Sequence, residues 1–154
     1  MLSIWPTIPL DATILELGCN LGRQTYRLQT LGYTALTRAE INPTALYTQS
    51  FRHESTPVEV DLEAEDWGVL DSRQWDVVFT VAVLEHIYSD RVLDKMARIA
   101  SKWICVCEDE VHESETHHAR DYRKEFESRG WVQVSAVRVK EDEAFWARVF
   151  SRST

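Results

Sequence analysis

The sequence predicts an α/β fold: a doubly wound, mostly parallel seven-stranded sheet with helices on both faces and a C-terminal antiparallel hairpin at one edge. Three observations predict it. Short apolar runs alternate with stretches of helical spacing, which implies right-handed crossovers between parallel strands. The runs are nearly continuous, as strands covered on both faces require. The chain closes on two consecutive strands of alternating character, joined by a polar turn.

Taken in order, residues 1–12 with Pro6 and Pro9 form an irregular lead-in. Thr13–Leu17 (TILEL) is the first strand, ended by Gly18. Leu21, Tyr26, Leu28 and Leu31 then recur at roughly helical spacing until Gly32 stops the pattern. Thr34–Ala39 is the second strand, closed by Glu40. Asn42-Pro43 starts a helix with a capping side chain and a proline in the first turn, and the helix runs to about His53. Val58–Asp61 is a third strand and Trp75–Val83 a fourth. Ser89-Asp90 caps a helix carrying Val92, Leu93, Met96, Ile99 and Ala100, followed by a fifth strand at Trp103–Cys107. A helix at Arg120–Arg129 stops at Gly130, and strands at Trp131–Val139 and Phe145–Ser151 flank the Lys140–Asp142 turn.

The chain of 154 residues makes one acidic domain. Its formal net charge of −8 excludes a coat for nucleic acid and a basic membrane binder. An apolar content of 44% is too high for a disordered chain, and no run reaches a membrane span. Cys19, Cys105 and Cys107 are too few for a disulfide framework, and no basic segment precedes an apolar one at the start. A cytoplasmic domain without a signal peptide is expected. Cys105 and Cys107 stand two apart in one strand and read as core thiols on one face.

Ligands of an open parallel sheet bind beyond the carboxyl ends of its strands, so the residues after each strand carry the chemistry. The first such segment is Glu16-Leu17-Gly18-Cys19-Asn20-Leu21-Gly22-Arg23. Gly18 and Gly22 permit a tight turn and close backbone approach. A dinucleotide loop would read G-x-G-x-x-G. Here the register is G-x-N-x-G, Arg23 stands where the third glycine belongs, and no Gly-Lys-Ser/Thr follows. The loop suits a nucleoside ligand without pyrophosphate. Glu40 stands about 20 residues beyond Gly18, where an acid accepts both ribose hydroxyls. Asp61, at the end of the third strand, is placed to reach an adenine amino group.

The segments ILELGCNLGR, TRAEINP, VEVDLE and WDVVFTVAVLEHI resemble the ordered motifs of class I S-adenosylmethionine-dependent methyltransferases, across nearly the whole chain. The resemblance implies a single methyltransferase domain over 1–154 and S-adenosylmethionine as cofactor. It places Glu16, Gly18, Asn20 and Gly22 under the methionine half, Glu40 with Ile41 at the ribose, Asp61 with Leu62 at the adenine, and Val81 beside the cofactor's amino group. Asn20 replaces the usual central glycine, a substitution associated with a small-molecule and sugar-modifying subgroup. The family's N-terminal lid helix has almost no chain to form from. The 108–121 loop, the tail around Trp5, or a second copy or partner subunit is therefore expected to cover the open site.

An alcohol acceptor benefits from a base, and candidates follow the fourth and fifth strands. His86 stands in Leu84-Glu85-His86-Ile87. His117, Arg120 and Tyr122 stand in or just after the segment Glu108–Asp121, which holds six acids, one arginine and three histidines. His117, His86 and Tyr122 are the catalytic candidates; His117, Arg120 and Tyr122 are the acceptor contacts. The bland alternative is a mobile solvated loop. His112, Glu113, Glu115 and His117 match no established zinc spacing, so no metal is expected. Neither the Asn/Asp-Pro-Pro-aromatic group of adenine amino methylation nor a Pro-Cys nucleophile is present. The expected acceptor is a small polar molecule, a sugar or natural-product precursor methylated on oxygen or nitrogen, with no nucleic-acid or membrane partner. The competing hypothesis is a non-catalytic cofactor-binding subunit of another enzyme.

Overall fold

The computed structural model describes Trp5 and residues 7–48, 54–139 and 143–152. The strands are β1 (Ile14–Leu17), β2 (Leu36–Glu40), β3 (Thr56–Glu59), β4 (Trp75–Val81), β5 (Ala100–Asp109), β6 (Trp131–Arg138) and β7 (Phe145–Arg152). The helices are α1 (Arg23–Thr30), α2 (Pro43–Thr48), α3 (Arg91–Ile99) and α4 (Tyr122–Glu127). All seven strands form one sheet in the order β3-β2-β1-β4-β5-β7-β6. The first five pair in parallel, and β7 enters antiparallel between β5 and β6. Strand order reverses between β1 and β4, and the parallel strand ends on either side of that point carry the site.

Side-chain alternation splits the core between the two faces of the sheet. Leu15, Leu17, Val78, Ile104 and Val106 pack under α3 and α4 through Val92, Met96 and Phe126. Ile14, Val77, Phe79, Cys105 and Val149 pack on the other side with Leu28 of α1 and Ile8 of the lead-in. Cys105 and Cys107 are buried thiols, as their spacing implied. Trp5 stacks edge-on against Phe79 at 5.5 Å and Tyr33 at 6.5 Å on this second face. It therefore packs against the sheet and does not line the site.

The Asn42 Oδ1 atom caps α2, accepting from the Thr44 and Ala45 amides at 3.0 and 3.3 Å. The continuation of that helix to His53, most of the first six residues and the Lys140–Asp142 turn lie outside the described residues. Several boundaries differ from expectation. β3 pairs with β2 over Thr56–Glu59, two residues earlier than its apolar pattern suggests. Val60 and Leu62 continue that pattern because they turn into the core beyond the ladder. β5 extends through Glu108 and Asp109, which pair with Trp146 and Phe145 of β7. In place of a helix, the β3–β4 crossover carries one 3-10 turn at Gly68–Leu70 among the described residues.

Candidate functional site

A cleft of about 620 Å³ opens at the carboxyl ends of β1 to β4. Gly18 and Asn20 follow β1; Glu40, Ile41 and Asn42 close β2; Val60 to Glu63 follow β3; Val81 to Val83, with His86 and Ile87, follow β4. Among the described residues, the carboxylates of this lining are Glu40, Asp61 and Glu63, and none of its side chains is a lysine or arginine. Such a lining attracts a cationic or neutral ligand and repels a phosphate. A second cavity of about 300 Å³ lies under the β1–α1 loop and shares Gly18, Asn20 and Val81 with the first.

The loop after β1 is shaped by left-handed backbone at Gly18 (φ 67°), Asn20 (φ 49°) and Gly22 (φ 73°). Gly18 is needed for a further reason. A Cβ there would stand 2.5 and 2.7 Å from the two methyl carbons of Val83, so the β1 and β4 loops meet at a distance that only glycine allows. Glu40 ties the next two loops together. Its Oε2 accepts the Asn20 amide at 2.8 Å and its Oε1 the Asn42 amide at 3.0 Å. Each oxygen keeps a lone pair for a ligand. Asp61 turns its own loop by accepting the Glu63 amide at 2.8 Å; it is exposed and Glu40 half-buried, and both line the cleft.

Glu16 lies deeper than the sequence implied. It is buried beneath the loop, lines the second cavity and accepts both the amide and the hydroxyl of Thr25 in α1. Burial pushes its carboxyl up to about 7, against the lowering effect of those Thr25 bonds. Gly22 is the residue from which α1 starts and lines neither cavity. Ile41 is 59% exposed, an apolar wall at the cleft edge, whereas Leu62 is buried behind it.

On the acceptor side the structure corrects two assignments. Arg120 does not face the cleft: its guanidinium is buried and donates to the carbonyls of Leu84 and Tyr88, both at 2.9 Å, and to Asp90 at 3.1 Å. Tyr122 is fully buried in the core at the start of α4, where burial raises its phenol further above neutrality. Neither reaches a molecule in the cleft. His86 lines it. His117 stands edge-on to His86, ring centroids 4.6 Å apart, on a loop pinned to the 84–88 segment. The pins are the His118 amide on the Glu85 carbonyl (2.7 Å), His86 Nδ1 at the Thr116 carbonyl (2.9 Å) and the Tyr88 hydroxyl on the Glu115 carbonyl. The loop is thus anchored over the His86 side of the cleft.

The charge of 108–121 is also less free than its composition suggests. Glu108 is fully buried at the end of β5, where desolvation pushes its carboxyl up to about 8 and favours the neutral form at pH 7. Its Oε2 accepts the Val83 and Leu84 amides at 2.8 and 3.0 Å and so holds the β4 loop in place. Asp109 is buried with His112 at 2.6 Å, and Glu110 takes both guanidinium arms of Arg148 at 2.6 and 2.7 Å. Half the acids of the segment are therefore spent inside the fold.

Sequence reasoning missed Ala82, a non-glycine residue at φ 54° on the cleft wall, fixed by its amide on the Cys107 carbonyl at 2.9 Å. Nothing in its residue type signals that turn. Glu85, which the sequence sets beside His86 just past the fourth strand, is 4% exposed, and its carboxylate holds the Asp109 amide at 2.7 Å. The ligand atoms of Glu85, His86 and His117 all lie within 4.8 Å of one another. Of the loop residues first weighed as metal ligands, only His117 belongs to this cluster.

A family model described as a methyltransferase domain matches residues 15–102, more than half of the chain. A comparison with curated proteins finds no match. Among solved structures, the fold resembles an S-adenosylmethionine-dependent methyltransferase from Mesorhizobium loti, with TM-score 0.80 and 10% identity over 97% of this chain and 94% of that one. Magnesium protoporphyrin IX methyltransferase from Synechocystis PCC 6803, with bound S-adenosylmethionine, aligns with TM-score 0.72 and 16% identity over 93% of this chain and 71% of that one. The glycopeptide N-methyltransferase MtfA, complexed with S-adenosyl-L-homocysteine, aligns with TM-score 0.74 and 12% identity over 96% and 85% of the respective chains. Among the described residues no helix is long and apolar enough to cross a membrane.

Proposed function

The chain belongs to the methyltransferase-domain family, and from that premise we propose that it moves the methyl group of S-adenosylmethionine to an oxygen or nitrogen of a small polar acceptor. The observation that carries the reading is Glu40. Its carboxylate is fixed by two backbone amides at the floor of a cleft that carries Asp61 and Glu63 beside it and, among the described residues, no lysine or arginine. The fit to the cofactor rests on that acid, on the lack of a cationic phosphate cradle among the described residues of the lining, and on the narrow Gly18–Val83 approach.

When bound, the cofactor supplies a methyl group on a cationic sulfur, which an acceptor attacks in line as the sulfur–carbon bond breaks. Glu40 would accept the ribose hydroxyls through the lone pairs its amide partners leave free, and such charge-assisted bonds exceed neutral ones in strength. Ile41 and Leu62 would wall the base and Asp61 would meet its amino group. Asn20, Gly18 and Val81, which line both cavities, would hold the methionine half. The acceptor enters beside His86 and under the His117 loop. Positioning supplies most of the acceleration, and the imidazoles stand where an acceptor hydroxyl would release its proton.

Calorimetry with S-adenosylmethionine and S-adenosylhomocysteine, followed by a methyl-transfer screen over small alcohols and amines, tests this reading. Saturable binding of both and transfer to a small acceptor are expected. Absence of binding at millimolar concentration would end it, and transfer to nucleic acid alone would overturn the acceptor class.

A further inference from the structure

We propose that Glu85, His86 and His117 bind a divalent first-row transition metal at the acceptor mouth of the cleft. Three side chains of suitable type converge there with all ligand atoms within 4.8 Å. Metal bonds of about 2.0–2.2 Å require ligand atoms roughly 3–4 Å apart. His86 Nε2 and Glu85 Oε1 already meet that requirement at 3.6 Å. His117 closes the remainder by side-chain rotation, since it sits half-exposed on the loop.

The neighbours of each ligand point the same way. His86 Nδ1 lies 2.9 Å from the Thr116 carbonyl, which can only accept, so Nδ1 carries a proton. In the neutral ring the lone pair is then on Nε2, the atom facing the Glu85 carboxylate. In that form a metal ion between Nε2 and the carboxylate is held by both, in the place that a proton on Nε2 fills when no metal is bound. His117 Nδ1 is engaged by the Thr116 hydroxyl at 3.1 Å, which leaves its Nε2 for an ion. Glu85 is fixed through its other oxygen by the Asp109 amide at 2.7 Å. Outer-shell bonds of this kind orient metal ligands elsewhere. The two rings lie edge-to-face with centroids 4.6 Å apart, and both converge on a carboxylate that is almost wholly withdrawn from water.

Two imidazoles and one carboxylate select a borderline ion such as Zn²⁺, Co²⁺, Mn²⁺ or Fe²⁺ over the oxygen-loving Mg²⁺ and Ca²⁺. Three protein ligands leave positions open, and His86 lies on the cleft wall, so an open position faces the acceptor. What the ion does there rests on the methyltransferase reading; the site itself does not. An acceptor hydroxyl bound to the ion loses its proton to water more easily, as metal-bound water does. The resulting oxyanion's electron pair forms the new oxygen–carbon bond, and the pair of the broken sulfur–carbon bond stays on sulfur, leaving a neutral thioether. With the ion in place, the imidazoles serve as ligands and do not take that proton themselves.

The test is titration of the chelator-washed protein with Co²⁺, followed by its visible ligand-field absorption, for wild type, His117→Ala and Glu85→Gln. One saturable Co²⁺ per chain is expected in the wild type, with affinity at least about tenfold lower in each variant. His117→Ala, on an anchored surface loop, is expected to retain the wild-type melting temperature, so its loss of binding does not reflect unfolding. Failure of the wild type to bind, or equal binding by wild type and His117→Ala, would overturn the site. Calorimetry with S-adenosylhomocysteine on the same samples reads the methyltransferase assignment separately. Homocysteine-nucleoside binding without Co²⁺ binding removes the metal and leaves the enzyme. Co²⁺ binding without it keeps the metal and removes its role in transfer.

Discussion

Gly18→Ala is the substitution whose consequence the structure lets one work out most fully. Gly18 holds φ 67°, and an alanine in left-handed backbone costs about 1–2 kcal/mol. The added Cβ would come 2.5 Å from one Val83 methyl carbon and 2.7 Å from the other, where comfortable contacts are about 3.5–4.0 Å. Rotating Val83 gives little relief, because its own Cβ is already 3.2 Å from the new atom. Its backbone cannot retreat either, since its amide is held 2.8 Å from the buried Glu108 carboxyl. Overpacking of this kind adds about 1–3 kcal/mol. The expected total is about 2–5 kcal/mol, a fall in melting temperature of about 5–15 °C for a chain of this length. Because Val83 lines the cleft, weaker S-adenosylhomocysteine binding accompanies it. Thermal and urea denaturation of Gly18→Ala, Val83→Ala and the double variant give the contact separately from the backbone strain. The double variant is expected to be more stable than the sum of the singles by about 1–3 kcal/mol. A Gly18→Ala protein within about 0.5 kcal/mol of wild type, or strictly additive singles, would refute the reasoning.

Glu40→Ala is expected to weaken S-adenosylhomocysteine binding by about 1.5–3 kcal/mol, the range for bonds to a charged group, and unchanged affinity by calorimetry would remove the ribose assignment. Arg120→Met leaves the Leu84 and Tyr88 carbonyls without their donor, so a loss of about 1–3 kcal/mol per orphaned carbonyl is expected in denaturation. A folded Arg120→Met variant with wild-type stability and a raised acceptor KM would restore that residue to the acceptor site. Glu108 sets a pH dependence. Its folded carboxyl titrates near 8 against an ordinary 4.5, so between those values the native chain keeps a proton that the unfolded chain has lost. The contribution is full below about 4.5, declines as pH rises and is gone above about 8. Melting curves from pH 6 to 9 should therefore fall less steeply for Glu108→Gln than for wild type, with Glu16 keeping a residual slope through its own value near 7. Parallel curves for the two proteins would contradict the buried neutral form.

What the residues announce by themselves is the frame. Continuous apolar runs such as Trp75–Val81, glycines at 18 and 22, and an acid closing the second strand are local signals, because strand burial, left-handed turns and ligand-facing strand ends each constrain the residue at that position. The Asn42 cap on α2 was legible for the same reason. Composition could not say which polar side chains the fold would turn inward. Arg120 and Tyr122 stand in a segment that looks like a solvated loop and its helix start. Pairing of β5 with β7 continues through Glu108 and Asp109, and the start of α4 packs inward, drawing Arg120 and Tyr122 from the cleft into the interior. Glu85, His86 and His117 are joined only because the loop after β5 folds back on the end of β4, a contact between positions some thirty residues apart. Local periodicity determined the sheet, and the strand ends it marked located the acids that line the cleft. The acceptor side was decided by long-range packing, which sets burial and hence which charges stay free to act.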